Sequence, residues 1–368
     1  MSETAEFKPS IAYRIGGLDE LRGVAILLVM FAHFFEVRRI SPLFESMHIG
    51  SWGVDIFFII SGFLIGKILL SADRHDHFFR KFYIRRFFRI APLYFVMVTL
   101  VLAASILAAQ NYASWPFYFT FTQNLIPESE HLGDVVSSSY EALPTLTPMW
   151  SLAVEEHFYA VMPMMIFFLP RNALKWSLFF IALVGLALKQ YITLDITRSS
   201  LIAYTNPFET WFRMQYLAFG VLLNFPDYKK LISLCGAFWF ILILATSAWT
   251  ALLELALGAV ALLFIVAAIE NRFVMKNRAL AWLGVHCFGL YLLHTPIRAI
   301  VNGLTGRLEK FVGDMPQVVW FIPFMITSVI AAHLSFRYFE MPVQRLRSRF
   351  EGRQTKTPLQ LAEEVTST

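Results

Sequence analysis

Ten long apolar runs divide this sequence, each close to the roughly 20 residues that an α-helix needs to cross a bilayer. They lie near residues 15–36, 50–70, 90–109, 150–169, 174–192, 209–225, 231–248, 252–270, 280–302 and 315–338. Of the 368 residues, 57% are hydrophobic and 15% charged, against roughly 25% charged in soluble domains. One soluble core cannot bury this much apolar surface. We therefore predict an all-α, polytopic membrane protein with about ten transmembrane helices, although the two runs around Trp249 also fit one long kinked hydrophobic hairpin.

The loops between these runs differ strongly in their content of Lys and Arg. If the N-terminus is cytoplasmic, the inner loops and tails hold 20 of the 31 Lys and Arg residues and the outer loops hold 5. The positive-inside rule then places both termini in the cytoplasm. We divide the chain into a cytoplasmic tail (1–13), a membrane domain (14–345) and a second cytoplasmic tail (346–368), whose polar composition predicts disorder.

Arg22 and His33 are ionisable residues within the first predicted span, where a charge usually marks function or a buried partner. They are eleven residues apart, so they share one face of a helix with an axial separation of about 16 Å. Arg22 is expected near the cytoplasmic surface and His33 in the outer half. His33 is suited to act as a general base near neutral pH. An interfacial histidine that merely ends the helix is an equally good interpretation.

Two carboxylates are predicted at a depth similar to that of His33. Asp55 lies near the start of the second span, and Glu155 near the start of the fourth, on one helical face with Ser151 and Tyr159. Either carboxylate can orient an imidazole and stabilise its protonated form. Asp55 also fits a helix N-cap with access to water. Glu155 also fits an acid that complements a helix dipole, although that explains the whole acidic cluster less well.

A basic and aromatic segment precedes the third span. Arg86 and Arg89, at positions i and i+3, project to one side of a helix at the cytoplasmic surface. Guanidinium groups suit phosphate groups, so this segment is a candidate site for a nucleotide-bearing donor. Composition alone favours the alternative, an interfacial anchor attracted to anionic lipid headgroups. Four further ionisable residues lie within the predicted spans and receive no role from the sequence: Arg213, Glu254, His294 and Arg298.

Five motifs in order resemble those of one family. They are the Arg22/His33 pair (Arg-x10-His), Gly53 to Ile65 (Gly-Val-Asp-x-Phe-Phe-x-x-Ser-Gly-Phe-Leu-Ile), Arg86/Arg89 (Arg-x-x-Arg), Trp150 to Tyr159 (Trp-Ser-Leu-x-x-Glu-x-x-Phe-Tyr) and Ser335 to Arg345. Over roughly residues 14–345 the chain resembles the acyltransferase-3 family of bacterial membrane proteins. Members of that family O-acylate polysaccharides, peptidoglycan, lipopolysaccharide and some antibiotics.

The resemblance implies an O-acyltransferase of the bacterial cytoplasmic membrane. It implies transfer of an acyl group, expected to be acetyl, from cytoplasmic acyl-CoA to a hydroxyl of an extracytoplasmic glycan or glycolipid. The residues implied as catalytic are His33, Glu155 and Asp55, and those implied to bind the CoA phosphates are Arg22, Arg86 and Arg89. Membrane lipids are expected partners, whereas no metal and no nucleic acid is expected. Whether His33 carries the acyl group or acts only as a base stays open.

The sequence departs from the family pattern at Glu20, where a glycine is usual, which puts the local turn geometry in question. No second catalytic domain follows the last predicted span. We therefore expect the membrane domain to acylate its acceptor directly. The alternative function is a transporter or lipid-handling protein, which would use the same intramembrane charges as a permeation path. The sequence contains no inverted repeat that favours this alternative.

Overall fold

Helices are the regular elements of this chain. The computed structural model describes residues 16–35, 49–107, 115–124, 146, 148–193, 213–246, 250–272, 275–312 and 316–351, and no strand occurs in these ranges. The helices are α1 (Gly16–Phe34), α2 (Ile49–Leu70), α3 (Phe78–Leu107), α4 (Trp115–Phe119), α5 (Met149–Phe168), α6 (Arg171–Thr193), α7 (Met214–Leu222), α8 (Tyr228–Thr246), α9 (Thr250–Ile269), α10 (Arg278–Val285), α11 (Cys287–Val312), α12 (Gln317–Ser335), a π-helical turn (Phe336–Glu340) and α13 (Met341–Phe350).

Five stretches of helix are long and apolar enough to cross a membrane. They are Ser51–Leu70, Phe78–Leu107, Arg171–Tyr191, Tyr228–Thr246 and Gln317–Phe350. A sixth results if α10 and α11, which meet at a bend of 76°, form one broken span. The predicted all-α, multi-pass membrane fold is thus confirmed, whereas the number of ten spans and the orientation of the termini stay predictions. The other predicted spans include α1 and α5, which carry several intramembrane ionisable residues, and α7, which has nine residues.

Glycines at the crossings of α1 with α10 and of α2 with α7 allow a close approach of the helices. A Cβ atom on Gly23 of α1 would overlap the backbone carbonyl of Leu280 in α10. A Cβ atom on Gly62 of α2 would likewise overlap the carbonyl of Leu217 in α7. Small residues at such positions let helix backbones approach closely in membrane proteins. These crossings fix α1 and α2, the two helices that carry His33 and Asp55.

Glu20 anchors the chain segment before α10. It is 3% exposed, and its carboxylate oxygens accept hydrogen bonds from the backbone N–H groups of Met275 (2.7 Å) and Asn277 (2.8 Å). The Asn277 side chain in turn accepts from the N–H groups of Ala279 and Leu280 and caps α10. Buried backbone N–H groups need such acceptors. The departure from the family's glycine therefore supplies a carboxylate that ties α1 to the start of α10.

The first residues of the predicted C-terminal tail (346–368) belong to helix α13. This helix continues to Phe350, whose ring lies 5.2 Å from that of Phe88 in α3. Nε of Arg85 in α3 lies 2.7 Å from a carboxylate oxygen of Glu351. These contacts hold the end of α13 against the basic segment. Residues 1–15 and 352–368, which include the predicted N-terminal tail and most of the C-terminal one, lie outside the described residues.

Candidate active site

A cavity of about 90 Å³ lies between α1, α2, α3, α5 and α11, and we call it the arginine cavity. Three arginines line it: Arg22 from α1, and Arg86 and Arg89 from the first turns of α3. Glu155 of α5 lines the same cavity. Three of these four charged groups are cationic. Because guanidinium groups pair well with phosphate oxygens, the arginine cavity favours an anionic ligand.

Neighbouring side chains hold two of these arginines in place. Nη1 of Arg22 lies 3.2 Å from Oδ1 of Asp19, one turn earlier in α1. The guanidinium of Arg86 lies over the ring of Tyr159, at 4.8 Å from its centroid. Arg89 is exposed. A guanidinium has five N–H donors, so these contacts position Arg22 and Arg86 and still leave donors for a ligand.

Glu155 is fixed by two hydroxyl groups. Its Oε1 accepts a hydrogen bond from Oγ of Ser61 in α2, and its Oε2 accepts one from the hydroxyl of Tyr159, each at 2.8 Å. Tyr159 and Ser151 line the arginine cavity as well, so the predicted common face of Ser151, Glu155 and Tyr159 is confirmed. The carboxylate therefore has a defined orientation at the cavity wall.

His33 lies against a second histidine, His294 of α11. The Nδ1 atom of His33 is 2.8 Å from Nε2 of His294, and the two rings are nearly parallel. His294 is fully buried. Arg298, one turn further along α11, donates a hydrogen bond to the backbone carbonyl of His33. Helix α11 therefore orients both the ring and the backbone of His33.

The contacts of His294 define the tautomers of the pair. Its Nδ1 lies 2.8 Å from the carbonyl oxygen of Tyr291 and 3.2 Å from that of Leu290. A carbonyl oxygen only accepts, so in the neutral ring Nδ1 carries the proton and Nε2 is an acceptor. His33 then donates from Nδ1, and its own Nε2 keeps the lone pair. A neutral histidine with an unprotonated Nε2 is a competent base.

Tyr291 connects the histidine pair to the arginine cavity. It lines the cavity one turn before His294 in α11. Its hydroxyl lies 2.7 Å from Oγ of Ser151 and donates to the carbonyl of Pro148 at 2.9 Å. Helix α1 makes a second connection, because it carries both Arg22 and His33. The histidine pair and the wall of the arginine cavity thus share helices α1 and α11.

Asp55 lies at a different place. Its Oδ1 is 3.1 Å from Nη1 of Arg213, and Asp55 lines a separate, larger cavity, not the arginine cavity. The guanidinium of Arg213 also lies 5.4 Å from the ring centroid of Trp150. The partner of Nδ1 is His294, and the predicted action of Asp55 and Glu155 on the imidazole stays a prediction. Depth along the membrane says nothing about which side of a helix a residue faces.

The arginine cavity suits phosphate groups but is small. Its arginines fit such groups by charge and hydrogen-bonding capacity. Its volume of about 90 Å³ is well below the roughly 300–1,000 Å³ typical of ligand pockets. Among the described residues, no group of three or more metal-ligating side chains comes together.

Sequence reasoning brought together Arg22, Arg86 and Arg89, but it grouped Glu155 with His33 instead of with the arginines and missed the role of His294. His294 was recognised only as a histidine in the middle of an apolar run. That position was the available signal, because a titratable ring inside a span normally has a specific partner. The sequence offered no way to pair it with His33, from which it is separated by 261 residues.

Comparisons with known proteins agree with the motifs. An acyltransferase-domain family, acyltransferase-3, matches residues 15–337. The O-acetyltransferase OatA of Staphylococcus aureus strain NCTC 8325 / PS 47 is 26% identical over 374 residues, which cover 89% of this chain and 57% of the relative. OatA of strain COL gives the same values, 26% identity with 89% and 57% coverage. The chain thus spans a little over half the length of these relatives. No solved structure matches it.

Proposed function

This chain belongs to the acyltransferase-3 family, and from that membership we propose that it is a membrane O-acyltransferase. It moves an acetyl group from cytoplasmic acetyl-CoA to a hydroxyl of an extracytoplasmic glycan or glycolipid, across the cytoplasmic membrane of a bacterium. Ten spans with both termini in the cytoplasm give the donor and the acceptor access from opposite sides. The observation that carries the proposal is the arginine cavity, which shares helices α1 and α11 with a histidine pair of defined tautomer.

The donor binds through its phosphates. Arg86 and Arg89 lie on α3, where the positive-inside rule predicts the cytoplasmic surface, and Arg22 faces them from α1. Phosphate groups at these three side chains leave the pantetheine arm to extend between α1 and α11 toward His33. This step requires the small cavity to widen, so we expect donor binding to change the packing of α3 against α11.

The chemical step needs one base. Nε2 of His33 takes the proton of the acceptor hydroxyl as its oxygen forms a bond with the thioester carbonyl carbon. The tetrahedral intermediate collapses with cleavage of the carbon–sulfur bond. The imidazolium then returns the proton to the departing CoA thiolate, so the products are an O-acetyl ester and CoA thiol. The hydrogen bond from Nδ1 of His33 to His294 stabilises the imidazolium form.

Replacement of His33 tests this mechanism. We expect His33→Ala to lower acetyl transfer from labelled acetyl-CoA in membranes by at least about 100-fold, the usual contribution of a general base. His333→Ala is the control, because His333 of α12 contacts His286 and does not line the arginine cavity. Unchanged transfer in His33→Ala would remove His33 from the mechanism. A wild-type protein that transfers no label, but moves a solute or a lipid, would favour the alternative function.

His294 is a positioning residue in this proposal. His294→Leu leaves Nδ1 of His33 without its acceptor, so we expect kcat to fall by about 10- to 100-fold, as for other orienting partners of a histidine. His294→Gln offers an amide oxygen to the same nitrogen and should recover part of the loss. The pH profile of kcat should move in both variants. An unchanged profile, or no recovery with Gln, would reduce His294 to a packing role.

A further inference from the structure

A π-helical turn separates α12 from α13. It comprises Phe336–Glu340, and the backbone N–H of Met341 donates to the carbonyl of Phe336 across it. Turns of this kind are rare in helices and are frequent at functional sites. This turn packs against α3, the helix that carries Arg89. Its last residue, Glu340, is therefore a candidate for a role beside the arginine cavity.

Glu340 is a buried carboxylate. Its Oε1 accepts a hydrogen bond from Oγ of Ser335 at 3.1 Å. A carboxylate is costly to bury in a membrane protein, so it usually marks a function or a specific partner. A single hydrogen bond to a hydroxyl group offsets only part of that cost. The charge of Glu340 therefore acts on the groups around it.

A glycine of α11 makes room for this carboxylate next to the arginine cavity. A Cβ atom on Gly289 would lie 2.9 Å from Oε1 of Glu340. The two residues before Gly289, Cys287 and Phe288, line the arginine cavity, whereas Glu340 does not. The carboxylate thus lies behind the cavity wall, with the start of α11 between it and the cavity.

The charge of Glu340 acts on Arg89. The two side chains interact electrostatically, and both act on the thiol of Cys287 in the cavity wall. Because the hydrogen bond of Glu340 goes to Ser335, its effect on Arg89 is one of charge through space. A nearby negative charge reduces the positive potential that a guanidinium group offers to an anion. A phosphate at Arg89 is therefore bound less tightly than it would be without Glu340.

The other two arginines of the cavity are balanced in the same way. Asp19 pairs with Arg22 at 3.2 Å. Glu155 interacts electrostatically with Arg86. With Glu340 behind the third arginine, each cation of the cavity has a carboxylate near it. This balance lowers the affinity of the empty cavity for anions.

We propose that Glu340 weakens the binding of the CoA phosphates at Arg89 and thereby speeds the release of the CoA product. Acetyl-CoA and CoA carry the same phosphates, so binding energy gained there holds the product as firmly as the substrate. Product release limits kcat in many enzymes. Glu340 is a positioning residue, since it acts through Arg89. This inference rests on the proposed function, because it concerns the site of the donor phosphates.

Binding of CoA to the full-length protein in phosphatidylcholine nanodiscs tests this effect. The second probe is pantetheine, which has the thiol arm of CoA and no phosphate. Glu340→Gln should bind CoA about three- to tenfold more tightly than wild type, a modest gain because solvent screens part of the interaction at the exposed Arg89. Its affinity for pantetheine should stay unchanged. The KM for acetyl-CoA should fall together with the Kd of CoA.

Three further variants show whether the effect passes through Arg89. In an Arg89→Ala background, Glu340→Gln should leave the affinity for CoA unchanged. Glu340→Asp keeps the charge and should bind CoA like wild type. Glu351→Gln also removes a carboxylate, but Glu351 pairs with Arg85 and does not line the arginine cavity. This control should bind CoA like wild type.

Two results would overturn the inference alone. One is a monodisperse Glu340→Gln protein whose affinity for CoA is unchanged or weaker. The other is an equal gain in affinity in the Arg89→Ala background, which would reflect net charge only. Should Glu340→Gln not fold, Ser335→Ala keeps the charge and frees it to approach Arg89. Ser335→Ala should then weaken CoA binding, and an unchanged affinity would reject the role of Glu340.

The same measurement separates this inference from the proposed function. CoA binding to wild type that Arg89→Ala does not weaken would reject the donor site of the proposed function, and the inference with it. CoA binding that depends on Arg89 but not on Glu340 would reject the inference and keep the donor site.

Discussion

The two cavities lie on opposite faces of one helix, and they differ in what their walls offer a ligand. Val54, Phe57 and Ser61 of α2 face the arginine cavity. Asp55 and Ile59 face the larger cavity between α2, α6, α7, α8 and α9, which we call the apolar cavity. The motif that begins Gly53-Val54-Asp55 is continuous in sequence, yet its side chains serve two separate spaces. Because successive helical residues are rotated by about 100°, one short motif can supply two sites.

The contrast between the cavities predicts which substitutions each will tolerate. The arginine cavity is small and lined by four charged groups, so charge removal should affect it most. The apolar cavity is about 660 Å³ and five of its 24 lining residues are charged, so filled volume should affect it most. The same chemical change at the two places should therefore give different kinetic results.

Glu155 offers the strongest test on the side of the arginine cavity. Glu155→Gln places an amide N–H₂ against Ser61 or Tyr159, both of which donate to the carboxylate. Loss of this charge and of one acceptor should lower kcat by about 100-fold, since preorganised electrostatics contribute on this scale. Glu156→Gln, one residue away and outside the cavity wall, is the control. Equal losses of kcat in the two variants would mean that the role of Glu155 does not depend on its place in the arginine cavity.

A comparison of two glycines tests packing at a close helix crossing against packing beside the apolar cavity. Gly62→Ala places a Cβ atom on the carbonyl of Leu217, whereas Gly236→Ala points into the apolar cavity. We expect Gly62→Ala to reduce stability by about 2 kcal/mol, as overpacking does, with a lower midpoint of thermal unfolding in detergent. Gly236→Ala should leave that midpoint unchanged or raise it, because alanine favours helix. A larger loss of the unfolding midpoint in Gly236→Ala than in Gly62→Ala would contradict both the close crossing at Gly62 and the open space beside Gly236.

The sequence located the charged residues of the site better than their partners. Helical periodicity correctly grouped Arg86 with Arg89, because residues at i and i+3 lie on one face. The sequence predicted that Asp55 lies at the same depth in the membrane as His33. In the structure, Asp55 pairs with Arg213. Position along a span gives the depth of a residue but not the rotation of its helix. The rotation is set by close crossings such as that at Gly62, which no local pattern reveals.

The spans proposed to carry the chemistry were also the hardest to verify as spans. The five helices that qualify by length and hydropathy include α2 and α3 but not α1 or α5. Those two helices contain His33 and Glu155, and charged residues lower the apolar signal by which a span is recognised. Sequence periodicity and structure therefore agree on the helices. They agree less on membrane crossings, where function replaces apolar residues with ionisable ones.

Arg86 and Arg89 test the donor side of the comparison. Their replacement by alanine should raise the KM for acetyl-CoA by at least about tenfold, since hydrogen bonds to charged groups contribute roughly 1.5–3 kcal/mol. Arg85→Ala is the matched control, since Arg85 pairs with Glu351. An unchanged KM in the double variant would return this segment to the lipid-anchor interpretation.

Asp227 gives the smallest expected effect, because its charge lies outside both cavities. It precedes α8, and a hydrogen bond from Lys175 at 2.9 Å lowers the pKa of its carboxyl group below the ordinary value. The stabilisation is therefore present above the pKa of the unfolded chain and is lost as the pH falls through the lower folded value. We expect Asp227→Asn to lower the unfolding midpoint slightly at neutral pH, by less than Gly62→Ala. The difference should vanish in acid. A large loss of acetyl transfer in this variant would contradict the claim that Asp227, which lies outside both cavities, takes no part in the reaction.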